Sequence, residues 1–171
     1  MAAVEFVKGE GRRYRSLLHR DDGVTVEFDG GAWNRVGGPA RELPHDLAHL
    51  IVEDELGLRR GVWGVLAAGG MFRHARVVAG RRRPHATATG RTVIRESDDE
   101  ITRAEMLVRA VCDVGAGADA RGLRAAVGER WWSDALTPEA ADRAVARLRA
   151  AAEDWRDLAP GESLRAEWRL R

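Results

Sequence analysis

Hydrophobic and polar positions change period twice along the chain. Val4 and Phe6 alternate with Glu5, and Val24, Val26 and Phe28 alternate with Thr25, Glu27 and Asp29, the two-residue period of a half-buried strand. Arg13-Tyr14-Arg15-Ser16-Leu17-Leu18 lies between them as a less regular strand, with turns at Gly9-Glu10-Gly11 and Asp21-Asp22-Gly23. Residues 1–30 therefore read as a three-strand meander. Leu164, Ala166, Trp168 and Leu170 alternate with charged residues after Pro160-Gly161, which predicts a final strand over 162–170.

Between the two strand regions the period becomes helical, over residues 44–158. Pro44 suits a first helical position and Gly57 a C-cap, so a helix is expected from Pro44 to about Leu56. Val62 to Ala68 reads as a buried helix in which Gly64 and Ala68 allow close backbone approach. Residues 71–79 fit helix or strand, and residues 80–91 read as a loop. Ser97 with Glu100 forms a capping-box pattern before a stripe of Ile101, Ala104, Leu107, Val108 and Val111. A short helix near 120–128 precedes Trp131-Trp132. Thr137-Pro138-Glu139 opens the longest helix, with Ala141, Ala144, Val145, Leu148, Ala152 and Trp155 on one face. Gly30, Gly31, Gly37, Gly38 and Pro39 mark a glycine-rich loop. The expected architecture is a single α+β domain over 1–171. In it, a small antiparallel sheet (the meander plus the last strand) packs against four to five helices.

Composition narrows the function classes. The 171 residues are 44% hydrophobic and 32% charged, the profile of one soluble globular domain. The single cysteine, Cys112, excludes a disulfide framework, which fits a cytoplasmic setting, and Cys112 beside an apolar stripe reads as a buried small hydrophobe. The N-terminus has no signal-peptide pattern, and no apolar run is long enough to span a membrane. Of 28 basic residues only Lys8 is lysine, yet the net charge is +1, which argues against a dedicated nucleic-acid binder. Arg81-Arg82-Arg83 and Arg91 form a local basic patch that could grip phosphates. Most of the six tryptophans fall on apolar faces, while Trp131 and Trp132 cannot both point the same way from a regular element.

One motif carries chemistry: His45-Asp46-Leu47-Ala48-His49 at the start of the first helix. Histidines four apart on a helix have Cβ atoms roughly 5–6 Å apart, so both imidazoles reach one metal ion. The positive end of the helix dipole keeps His45 neutral, the metal-binding form, and Asp46 is placed to orient a ligand or take a proton from bound water. The motif resembles the His-Glu-x-x-His helix of zinc peptidases, and also the His-Asp-x-x-His helix of a metalloprotein family from ubiquinone biosynthesis. The resemblance implies a divalent metal, zinc favoured, on His45 and His49. The ubiquinone-type pattern carries a glutamate ligand where this chain has Gly61.

Glu53 shares the arc of the two histidines and is the nearest carboxylate candidate for the metal. On a straight helix, however, it lies about 12 Å along the axis from His45, so it could instead pair with His49 or stand behind the ligands. His74, His85, His19 or a distant carboxylate are the other candidates for a third ligand. The same arc is also what a solvated helix face would present. Two functions follow: a small intracellular metal-binding protein with a metal-dependent hydrolase as its enzymatic version, or a non-catalytic protein-interaction module without metal. The first expects a small-molecule or protein partner.

Overall fold

Alternation along β1 (Ala2–Lys8) turns Ala2, Val4 and Phe6 to one face, and all three are buried. β2 (Tyr14–His19) buries Tyr14, Ser16 and Leu18 in the same way, and β3 (Thr25–Phe28) buries Val26. The antiparallel register sets Val4 opposite Leu18 and Leu18 opposite Val26, so one apolar row crosses the meander. The computed structural model describes residues 2–28, 43–115 and 117–169. The expected glycine-rich loop of residues 30–41 lies outside the described residues.

β5 (Ser163–Trp168) pairs antiparallel with β1, as its alternation required. The ambiguous residues 71–79 supply a strand the pattern did not resolve: β4 (Ala75–Ala79) pairs with β3, with a register shift at Thr25/Val26. That irregularity breaks strict alternation, which is why the strand was hidden. The sheet order is β4-β3-β2-β1-β5. Among the described residues six helices complete an α+β fold: α1 (His45–Leu56), α2 (Val62–Ala67), α3 (Ala86–Glu96), α4 (Asp98–Val114), α5 (Ala120–Val127) and α6 (Pro138–Asp157). None is long and apolar enough to cross a membrane.

The helices cover the row of Val4, Phe6, Leu18 and Val26, and the core continues through Leu50, Trp63, Leu107, Leu148 and Trp155. Phe6 meets Trp63 edge to face, with ring centroids 5.6 Å apart, which ties α2 to the sheet. Helix α1 sits in the middle, packed against α2, α4 and α6. Arg147 of α6 clamps its far end by donating to Asp54 (2.9 Å) and Glu55 (2.6 Å). Consequently α1 is buried on nearly every side, and its polar residues Asp46, His49 and Glu53 lie inside rather than on a solvated face.

Three local expectations change. Pro44 stands just outside α1 with ψ 136°, its carbonyl accepting from Leu47 and Ala48, while Gly57 caps the other end at φ 67° as expected. Residues 80–91 are only partly loop, because α3 begins at Ala86. Three threonines and a glycine lower its helix propensity, but a Cβ at Gly90 would collide with the Gly69 carbonyl, so close packing decides the conformation. Ser97 makes no side-chain cap, because the chain enters α4 directly from α3 and the Ser97 amide donates to Ile94.

The C-terminal carbonyls of α6 find an unusual partner. Lys8 Nζ donates to the carbonyls of Leu158 (2.6 Å), Trp155 (2.8 Å) and Arg156 (3.1 Å). An ammonium directs three protons to three points, which a planar guanidinium cannot do, and this accounts for the only lysine among 28 basic residues.

Candidate metal centre

One turn of α1 separates His45 from His49, and their rings meet edge to face with centroids 4.5 Å apart. Across them stands Glu105 of α4, a helix packed against α1. Glu105 Oε2 lies 3.2 Å from His49 Nε2 and 3.7 Å from His45 Nε2. Ligand atoms from the three residues fall within 4.8 Å of one another, close enough to hold a metal ion. Zinc bound at ~2.0–2.1 Å by tetrahedral ligands would have them about 3.3 Å apart, so the two measured separations bracket that value. The group is open on one side: the side chains of His45 and Glu105 are 32% and 48% exposed, while His49 is buried.

Glu53 stands behind this group rather than within it. Its Oε1 accepts from His49 Nδ1 (3.0 Å) and from the Val62 amide (2.9 Å), and Oε2 accepts from the Trp63 amide (3.1 Å). The carboxylate thus satisfies the first amides of α2 and holds the His49 ring, the arrangement in which a carboxylate orients a metal-binding imidazole from the rear. Gly61 makes room for it, since a Cβ there would sit 2.6 Å from Glu53 Oε2.

The electrostatics separate the two histidines. Burial and the neighbouring charge of His49 push His45 down to about 4, so it is neutral. The expected direction holds, although burial causes it. For His49, burial alone would lower the pKa, but hydrogen bonds and charge from Glu105 and Glu53 outweigh it and raise it to about 10. Glu105 ends below the usual carboxylate range: burial raises it, and the hydrogen bond from His49 with the charges of both histidines more than reverses this.

Asp46 is not among the three converging residues. Its carboxylate accepts from Ser16 Oγ on β2 (2.9 Å), and burial raises its pKa to about 6 against the opposing pull of that hydrogen bond. Its backbone carbonyl accepts from Trp63 Nε1 at 2.8 Å. The three distant histidines stay away: His19 pairs with Thr25 and Glu5 at the sheet, and His74 and His85 are exposed. Glu105 is the ligand candidate that sequence reasoning did not name, although a signal existed. It sits four after Ile101 and three before Val108, an acid on the edge of an apolar stripe.

Elsewhere, Cys112, Trp63, Trp155 and Trp168 are buried as expected. Trp131 and Trp132 are half-buried and lie under Arg130 (4.4 Å) and Arg124 (5.3 Å), so neither presents a bare apolar ring. Against protein-family models, curated proteins and solved structures, the chain finds no match.

Proposed function

We propose that His45, His49 and Glu105 bind a divalent metal ion, zinc favoured, with metal-dependent hydrolysis as the enzymatic activity such a site would serve. The observation that carries the reading is the state of His45. Its Nδ1 is buried with no hydrogen-bond partner among the described residues, and its Nε2 lies 3.7 Å from Glu105, beyond good hydrogen-bond reach. A neutral, partly exposed imidazole whose Nδ1 is buried without a partner and whose Nε2 lies beside Glu105 without bonding it has a nitrogen lone pair available to an ion. Glu53 behind His49 supports the same reading, and the exposed flank of His45 and Glu105 leaves a way in for water.

A bound ion would lower the pKa of a coordinated water toward neutrality. Asp46, next to His45 in the chain, is the proposed acceptor of the water's proton, a role in which its carboxylate would have to exchange Ser16 for the water. Element analysis of the purified protein against a His45→Ala/His49→Ala variant and a Glu105→Ala variant tests the ion. About one equivalent is expected in the wild type and little in either variant. Equal, negligible metal in all three removes the reading. Asp46→Asn then separates the hydrolytic version, since it should keep the metal and lose turnover.

The metal-free interaction module retains one supporting observation: Glu53 and Glu105 already satisfy both nitrogens of His49 as an imidazolium. It predicts no metal in any of the three proteins, together with a mass above 18.8 kDa that rises with concentration.

A further inference from the structure

Away from the histidines, a trough runs around the last turn of α2. Its largest part is a groove of about 490 Å³ whose floor is made of Ala2, Gly64, Ala67 and Ala68 with an edge of Trp168. Arg20, Arg59 and Arg60 stand along its rim. A second cavity of about 290 Å³ shares Arg20 and Ala68 and adds Arg82 and Arg83. A third, of about 140 Å³, shares Arg59, Arg60, Gly64 and Ala68. Ala68 borders all three, so they lie around the same end of α2. None of His45, His49 and Glu105 lines any of them.

Five guanidinium groups face this trough against only Asp21, Asp22 and Glu96, in a chain whose net charge is +1. The cationic charge is therefore concentrated here. Arg60, Arg82 and Arg83 have no acidic partner among the described residues. Arg20 is different: its side chain is 17% exposed and its Nη2 donates to Asp22 at 2.6 Å. Asp22 is itself anchored, accepting the Val24 amide at 3.2 Å, so the Arg20 fork is held before any ligand arrives.

We propose that this trough binds a small organic di- or polyphosphate. Guanidinium forks match phosphate oxygens in pairs, and guanidiniums spread over three neighbouring cavities suit more than one phosphate. The alanine-rich floor and the tryptophan edge suit an apolar body attached to them, in a groove of the size that small ligands occupy. The site is independent of the proposed metal centre.

Calorimetric titration in EDTA with ADP, inorganic pyrophosphate and adenosine tests it. ADP should bind more tightly than pyrophosphate, and adenosine should not bind. Arg20→Gln and Arg60→Gln should each weaken ADP about tenfold or more, while Arg149→Gln on the exposed face of α6 leaves it unchanged. Arg60 is exposed, so Arg60→Gln decides the matter even if the Arg20 variant fails to fold. ADP binding that survives His45→Ala/His49→Ala keeps the site distinct from the metal centre, and its loss there overturns the proposal. No heat from ADP at millimolar concentration, or equal weakening by Arg149→Gln, also overturns it. So does a single-stranded oligonucleotide that binds more tightly than ADP with a steep salt dependence.

Discussion

Replacing Glu53 by glutamine keeps the shape of the side chain and removes its charge. In the wild type Oε1 takes two protons, from His49 and the Val62 amide, and Oε2 takes one from the Trp63 amide. Glutamine has only one oxygen. If that oxygen replaces Oε1, the new NH2 faces the Trp63 N–H, and if it replaces Oε2 the NH2 faces two donors. Either way two donors meet at a site with no solvent exposure, where water cannot repair the loss. Breaking a fully buried charge pair costs about 3–5 kcal/mol, and Glu105 still supports His49, so the lower end applies: about 3 kcal/mol. For a chain of this length that corresponds to a melting temperature lower by roughly 6–12 °C. The loss should depend on pH. The pKa of His49 is raised on folding, from 6.5 to about 10, so its contribution is fully present below pH 6.5 and fades as pH rises through 10. Urea unfolding at pH 6 and pH 9.5 measures this, with the wild-type advantage expected to be larger at pH 6. If metal binds, its affinity should fall about 10–100-fold in the same variant. A variant within about 0.5 kcal/mol of the wild type at pH 6 would refute the assignment of Glu53 as both helix cap and histidine brace.

Gly61→Ala should act through the same carboxylate. The added methyl would push Glu53 aside, lowering the melting temperature and weakening metal uptake together in thermal and metal titrations. Lys8→Met should cost about 2 kcal/mol in urea unfolding by freeing three carbonyls at the C-terminal end of α6 and its cap, and Lys8→Arg should recover less than half of it. Asp46 has a pKa raised on folding, so its favourable term is complete below pH 3.8 and is lost as pH rises through about 6. Asp46→Asn should therefore stabilise the protein at pH 7.5, by up to about 3 kcal/mol, and give no gain at pH 3.5. Because metal must displace the proton of His49, binding near pH 7 should release a proton, seen as heats that vary with the ionisation enthalpy of the buffer.

The parts of the fold that sequence made legible are those whose period reflects a single face. Val4, Phe6, Leu164 and Ala166 each alternate against polar neighbours, and the sheet pairs them as expected. β4 escaped because a register shift interrupts its alternation, and α3 escaped because Gly90, which lowers helix propensity, is there for a close contact with Gly69. At the candidate site, spacing alone placed His45 beside His49, since a helix brings such residues together without help. Glu105 depends on how α4 lies across α1, which no local pattern encodes. The same blindness explains the polar arc. Periodicity marks Asp46, His49 and Glu53 as one stripe, but α2, α4 and the sheet bury that stripe from different directions.

The position of β1 has a consequence for biosynthesis. Its partner on one side, β2, emerges from the ribosome almost at once, whereas β5 follows only after α1 to α6. Until then the nascent polypeptide carries a bare strand border beside its apolar row, open to zippering with another unfinished copy. Sealing that seam also brings β5 alongside the Lys8 latch on α6, so a strand made after the helices shuts both the sheet and the helical layer.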